Sequence, residues 1–406
     1  MQIHNYKLEN GIRLVHLPTT SEIAYCGILI HTGSRDEEPA EHGMAHFIEH
    51  VLFKGTRKRK PFHILSRMED VGGEINAYTT KEETCIYASF LKGDYPRAME
   101  LIGDMLLHST FPKKEIDREK DVIIDEINSY KDIPGEMIFD DFEELIYPNH
   151  PIGRNILGTE ESLKRFNKDA ILRFMGGQYH TDQMVLCSVG NIRFNLLKRY
   201  FQRNYSIIPE NLRRNEREKA PDSISEFKSV KKDAWQTHCI IGTTAYDMHH
   251  ERRLGMYLLN NILGGQGLNS RLNLSLREKN GYAYNVESSY NPYVDTGILS
   301  IYFGTDQQNL DKSLKLAHDE LRKLRTRKLG SIQLARAQRQ MIGQVARSRE
   351  NHENLLFALG KSYLLFGYMD DMDTLKKKIQ AITADELIDI ANDILSPARL
   401  STLVYG

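Results

Sequence analysis

Two histidines and a glutamate packed into five residues, His46, Glu49 and His50, are the side chains of this 406-residue chain best placed to do chemistry together. Around them Met44, Phe47, Ile48, Val51 and Leu52 recur at helical spacing. At 100° per residue, His46 and His50 lie about 40° apart and Glu49 about 60° to the other side of His46, so all three leave a helix through one narrow sector. Two imidazoles one turn apart can hold a single zinc ion, and a carboxylate beside them can reach a water at that ion. A solvated helix offers similar His/Glu pairs by chance, but a surface pair has no need of apolar flanks. Ligands on a core-facing helix gain dry walls and fixed rotamers from them.

A third ligand is offered by the segment 115–130, EIDREKDVIIDEINSY, which reads as a long helix. Its Ile123, Ile124 and Ile127 make an apolar side, and Glu119 and Glu126 share a face, seven residues apart with Val122 between them. Carboxylates interleaved with such a face lie at the rim of a core or turn toward something positive within it. Glu126 can complete a His2Glu site with its fourth position open, the arrangement of a catalytic zinc. Glu119 then serves as acceptor for the second ring N–H of a ligating imidazole.

The run His42-Gly43-Met44-Ala45-His46-Phe47-Ile48-Glu49-His50-Val51-Leu52-Phe53-Lys54-Gly55-Thr56 has the inverted zinc-protease spacing H-x-x-E-H. It resembles the signature of the pitrilysin/insulinase family of zinc metallopeptidases, which includes the mitochondrial processing peptidase subunits and short bacterial relatives. In that family the third ligand is a Glu at about the separation found here, 126 − 50 = 76 residues, within a similar Glu-Lys-Asp-Val-Ile-Ile-Asp-Glu context. The likeness covers most of the chain. Gly73-Glu74-Ile75-Asn76-Ala77-Tyr78-Thr79 is similar to the family's edge strand, whose Asn-Ala pair, here Asn76 and Ala77, holds an extended peptide by strand addition. Leu276-Arg277-Glu278-Lys279-Asn280-Gly281-Tyr282-Ala283-Tyr284 resembles the segment whose Arg and Tyr, here Arg277 and Tyr284, grip substrate and support the oxyanion. Tyr282 departs from the Leu that relatives often carry and leaves the implied chemistry unchanged.

The resemblance implies one Zn2+ per chain on His46, His50 and Glu126, Glu49 as general base, and hydrolysis of extended or unfolded peptides in a closing chamber: a zinc-dependent endopeptidase or oligopeptidase. The alternative is a non-catalytic or heteromeric partner subunit of a processing-peptidase-like assembly. Large relatives close a chamber from four units in one chain. This length supplies two, so the expected partner is a second copy, with Arg277 and Tyr284 exchanged across a homodimer; a heteromeric partner is the other arrangement.

The elements that must position these residues alternate strand and helix. The opening runs to Leu8, Ile12 to Leu17 after the Asn10-Gly11 turn, and Ile23 to His31 read as a meander. Helices follow at about 41–54, 95–108, 113–132 and 161–174, with strands at about 74–80, 84–91 and 185–192. Residues 207–226 are polar, charged and without period, and read as a linker between a zinc-binding domain at 1–206 and a similar domain at 227–406. A helix opening at Asn167-Lys168-Asp169 leads to strand 185–190, and one opening at Thr383-Ala384-Asp385 leads to strand 400–405. The expected fold class is therefore α+β, two similar halves of about 200 residues with helices packed on mixed or antiparallel sheets.

Composition bounds the rest. With 54 Lys+Arg against 55 Asp+Glu, the net charge of −1 gives no field to draw the chain onto nucleic acid or an anionic membrane. The longest apolar runs, such as Ala24 to Ile30, fall far short of the ~20 residues of a spanning helix. No signal or transit peptide pattern opens the sequence, so the expected location is cytoplasmic. Cys26, Cys85, Cys187 and Cys239 stand singly and read as buried thiols in strands. Gly264-Gly265-Gln266-Gly267 lacks the Lys-Ser/Thr ending of a phosphate loop, and Arg57-Lys58-Arg59-Lys60 reads as a solvated loop.

Overall fold

Every residue of the strand Met184–Gly190 is buried, so the sheet that holds it must be covered on both faces. The computed structural model describes residues 3–214, 216–222, 225–232 and 235–406. It contains two mixed sheets with helices packed on them, the α+β architecture expected from the sequence. The strands of the first are β1 (His4–Lys7), β2 (Arg13–Pro18), β3 (Ile23–Ile30), β4 (Glu74–Thr79), β5 (Thr84–Leu91) and β6 (Met184–Gly190), in the order β1-β2-β6-β3-β5-β4. The second holds β7 (Phe227–Val230), β8 (Thr237–Ala245), β9 (Ala283–Pro292), β10 (Gly297–Thr305) and β11 (Ser401–Tyr405), in the order β7-β11-β8-β10-β9.

The pairing pattern repeats. Each sheet has one parallel pair, β2 with β6 and β7 with β11, followed by three antiparallel pairings. β6 and β11, the strands that close the two halves of the sequence, hold equivalent positions. The opening is not a meander, because β6 inserts between β2 and β3. Its uninterrupted apolar run belongs in the middle of a sheet, where neighbours on both sides satisfy its backbone.

The chain forms two compact units, one of Met1–Ile127, Arg154–Arg217 and Arg347–Asp371, the other of Asn128–Gly153, Glu218–Ala346 and Met372–Gly406. In the first, alternate residues of β6 face opposite layers. Met184 and Leu186 join the core under the helices Met44–Leu52, Tyr95–His108 and Lys168–Gln178, whereas Val185, Cys187 and Val189 meet Leu355, Leu356 and Leu359 of the helix His352–Leu365. In the second, Cys239 and Ile241 of β8 face the helices Arg253–Gly264 and Ala384–Ile394, and Ile240 faces Ile138 and Phe142 of the helix Pro134–Ile146. Each unit thus takes the cover for one sheet face from a distant stretch of sequence. Gly360 lets the His352–Leu365 helix lie close on its sheet, since a Cβ there would stand 2.6 Å from Leu29 Cδ1 and 2.7 Å from Cys187 Sγ.

Residues 207–214 and 216–217 of the expected linker are tied into the first unit. Asn211 Nδ2 donates to the carbonyls of Gly176 at 3.0 Å and Tyr179 at 3.1 Å. Arg217 donates to Asp36 at 2.7 Å and to the carbonyls of His31 and Glu82. All four cysteines are buried free thiols within strands. Among the described residues no helix is long and apolar enough to cross a membrane.

Candidate metal centre

The helix Met44–Leu52 carries His46, Glu49 and His50, and its start is fixed from outside. Its N-cap, Gly43, has φ +91°, and a Cβ there would lie 2.7 Å from Gly158 Cα and from the Leu157 carbonyl oxygen, so only glycine fits. With no side chain at the cap, the first N–H groups are taken by the buried Glu37, whose two carboxyl oxygens accept from Gly43 and Ala45 at 2.8 Å each. Burial pushes the Glu37 carboxyl up to about 8, against the pull of those two donors. An acid at a helix N-terminus also meets the positive end of the helix dipole. Met44, Ala45, Phe47, Ile48, Val51 and Leu52 are buried and fix the helix's rotation, which aims the two imidazoles at the Lys113–Lys131 helix.

There the third residue waits. Glu126 Oε2 lies 3.9 Å from His46 Nε2 and 3.8 Å from His50 Nε2. Both are too long for direct hydrogen bonds. Among the described residues this is the one His/Cys/Asp/Glu trio able to hold a metal ion, with its ligand atoms within 4.8 Å of one another. Zinc–ligand bonds of 2.0–2.1 Å in a tetrahedron require ligand edges of about 3.4 Å, within about half an ångström of both imidazole–carboxylate edges. Burial, then the neighbouring His50, lowers the His46 pKa to about 4, so its ring is an unprotonated donor at neutral pH. The residues fit zinc, with a fourth coordination position not filled by the trio.

Glu119 stands behind His50. Its Oε2 is 3.3 Å from His50 Nδ1, which leaves Nε2 free to face Glu126, and its Oε1 is 2.8 Å from Lys54 Nζ. Glu119 is only 3% exposed, and burial alone would raise its pKa; the His50 and Lys54 contacts outweigh that and hold it below the ordinary range. Glu49 is partly buried, and burial raises its carboxyl, with the Thr79 hydroxyl and His50 pulling it back and Glu126 pushing it further up.

Asn76 and Ala77 lie on β4, the outermost strand of the first sheet, whose far edge pairs with no strand among the described residues. Asn76 is exposed and its Oδ1 accepts the Ala77 N–H at 2.8 Å. Arg277 and Tyr284 belong to the second unit. Arg277 sits near the end of the short π-helix Asn273–Glu278, its carbonyl accepting the Gly281 N–H at 2.9 Å, and Tyr284, 71% exposed, opens onto solvent from the outer strand β9. The structure therefore joins His46, His50, Glu126, Glu119 and Glu49 in one place in the first unit. The sequence reading missed Glu37, Lys54 and Thr79, the hydroxyl of the last pulling the Glu49 carboxyl down. Lys54 was within the recognised run, but the sequence alone does not say which of Glu37, Glu38 and Glu41 turns inward.

Two family models match most of the chain. Residues 14–160 match the model described as insulinase, peptidase family M16, and residues 165–341 match the peptidase M16 inactive domain. An uncharacterized zinc protease of Bacillus subtilis is 33% identical over 396 residues, covering 97% of this chain and 96% of that protein. One from Streptomyces coelicolor is 33% identical over 98% of this chain and 88% of its own length. The fold matches the crystal structure of a protease from Helicobacter pylori with a TM-score of 0.92 at 19% identity, over 100% of this chain and 99% of that one. It matches a peptidase M16 inactive domain from Pseudomonas fluorescens equally well, at 18% identity over 100% and 98% of the two chains. A paired α+β fold bearing an H-x-x-E-H helix is thus a zinc-protease type of architecture. This chain belongs to the insulinase family, peptidase family M16.

Proposed function

We propose that this chain is a zinc endopeptidase or oligopeptidase that hydrolyses extended or unfolded peptides, with His46, His50 and Glu126 as ligands and Glu49 as general base. The reading is carried by the convergence of both Nε2 atoms on one Glu126 oxygen at 3.9 and 3.8 Å, with Glu49 on the same helix. A zinc ion held by the trio supplies Lewis acidity, which brings water within reach of a carboxylate base at neutral pH and polarises a carbonyl. Glu49 takes the proton of the attacking water and returns it to the leaving amine. Glu119, held by Lys54, keeps the His50 ring in the orientation its role needs.

An extended peptide adds to the open edge of β4 beside Asn76 and Ala77, main chain to main chain, which favours unfolded substrates over folded ones. Arg277 and Tyr284 support the developing oxyanion, a contribution worth about 3 kcal/mol in a dry site. A second copy of the chain is the partner that closes the chamber.

The test is cleavage of a mixture of unfolded peptides by the zinc-loaded protein and by Glu49→Gln, read by mass spectrometry. The variant is expected to keep its zinc and lose turnover by a factor of about 10² or more. Cuts of equal rate in both proteins would remove Glu49 from the reaction and sink the reading.

A further inference from the structure

The first unit carries a cavity of about 530 Å³, lined by residues of the helices Tyr95–His108 and Phe194–Tyr205 and by Lys58 and Arg67. Small-molecule sites span about 300–1,000 Å³. No residue of the metal trio lines it, so it is a second concave site on the same unit. The basic run Arg57-Lys58-Arg59-Lys60 reads in the sequence as a solvated loop, and the structure corrects that in part. Arg59 turns inward, its side chain 14% exposed, and donates to Asp104 at 2.5 Å and to Glu100 at 2.6 Å. Asp104 also accepts from the Thr56 hydroxyl at 2.8 Å and lies 2.9 Å from His108 Nδ1.

These contacts decide the charge of the cavity. Three carboxylates line it, Asp94, Glu100 and Asp104, and four cations, Lys58, Arg67, Arg97 and Arg203. Arg59 engages Glu100 and Asp104 from behind the lining, and Asp94 meets Arg97 Nε at 3.4 Å. Five positive charges therefore stand against three negative ones. The surplus donors are not committed elsewhere. Arg203 is exposed, and neither its guanidinium nor the Tyr200 hydroxyl has a hydrogen-bond or ion-pair partner among the described residues. Lys58 Nζ is 3.9 Å from Asp104 Oδ1, and Arg67 Nη2 is 3.7 Å from Glu100, both beyond hydrogen-bond reach. The Tyr95–His108 helix opens at the same wall, through Asp94 and Pro96, with no side chain capping it, and adds the positive end of its dipole there.

A near-neutral chain can still focus a local field in a cleft lined by one sign of charge. A surplus of two charges, carried by guanidinium forks and a phenol, matches a dianion with several acceptor oxygens. Leu107 and Pro96 supply an apolar wall beside the Tyr200 ring. We propose that this cavity binds a soluble phosphate monoester, its dianion held by Arg203, Arg67 and Lys58 with Tyr200 donating to it, and its compact, partly apolar body lying along Leu107 and Pro96. The inference stands apart from the zinc reading and uses none of its residues.

The experiment titrates the zinc-loaded full chain with phenyl phosphate by calorimetry, with benzyl alcohol as the phosphate-free control, and repeats it with Arg203→Gln, Arg203→Glu, Tyr200→Phe and Glu126→Gln. Saturable binding of phenyl phosphate that weakens with added salt is expected, and none of benzyl alcohol. Loss of one charge-assisted hydrogen bond should raise Kd about tenfold in Arg203→Gln, more in Arg203→Glu and less in Tyr200→Phe. Neither side-chain group has a partner within the protein, so Tm and zinc per chain should stay at wild-type values in all three. Glu126→Gln should keep the wild-type Kd. Absence of saturable binding at millimolar phenyl phosphate overturns the proposal, as does an unchanged Kd in both Arg203 variants. Binding lost in Glu126→Gln but kept in Arg203→Glu also overturns it, because the phosphate then sits on the metal, and that result leaves the zinc reading standing.

Discussion

Replacing Glu119 by Gln tests whether the carboxylate behind His50 shapes the metal site or only fills the core. The substitution keeps the size and removes the charge. Both oxygens are engaged, Oε2 at 3.3 Å from His50 Nδ1 and Oε1 at 2.8 Å from Lys54 Nζ, and the side chain is almost wholly buried. A neutral amide makes the His50 ring a poorer donor to a metal, and it loosens the ring's orientation by permitting the amide's NH2 face to turn toward Nδ1. Removing such an outer partner typically costs 10- to 100-fold in metal affinity, about 1.4–2.8 kcal/mol. Full burial places Glu119 at the upper end of that range, since water cannot take the missing partner's place. The Lys54 ammonium, partly solvated, adds little of its own. The assay is competition for zinc against a chromophoric chelator, with Tm recorded for the metal-free protein. Glu126→Gln, which weakens a ligand itself, should lose more affinity than Glu119→Gln, and Lys54→Met less. A zinc Kd for Glu119→Gln within about twofold of wild type, with Tm unchanged, would refute the argument and reduce Glu119 to an anchor for Lys54.

Two further predictions concern the scaffold. Gly360→Ala forces a methyl to within 2.6 Å of Leu29 Cδ1 and 2.7 Å of Cys187 Sγ, both in a filled layer. It should destabilise the first unit by about 1–3 kcal/mol in urea melts, and a neutral result would mean the helix floats free of its sheet. His31 is held neutral: burial, then the Arg217 charge, lowers its pKa from 6.5 to about 3, with Arg217 Nη1 at 2.6 Å from Nε2, Gln183 Oε1 at 3.3 Å from Nδ1, and Asp36 and Arg213 beside it. Because the folded pKa lies below the unfolded one, the unfolded chain binds the extra proton. The His31 contribution is therefore complete above pH 6.5 and drains away by up to about 1.4 kcal/mol per pH unit from 6.5 toward 3. His31→Gln should flatten that limb of the stability profile; parallel profiles would place the acid sensitivity elsewhere.

What the sequence disclosed and what it hid divide along the range of the interactions involved. His46, Glu49 and His50 were legible because helix geometry fixes residues three and four apart, and the apolar flanks announced which way the helix faces. Glu126 was legible as one of two carboxylates on a shared helix face, and the family resemblance supplied the pairing. The unbroken apolar run of β6 required cover on both sheet faces, but a strand's period of two does not say by what. Nothing in residues 134–146 or 352–365 names the sheet each will cover, and the match emerges only from packing, as at Gly360 against Leu29 and Cys187. Polar contacts between distant elements were the least legible of all. Arg217 lies in a stretch whose composition reads as solvated linker, yet its guanidinium is the hub joining Asp36, His31 and Glu82. A charged residue reads as surface until its partner is known, and that partner sits 181 residues away.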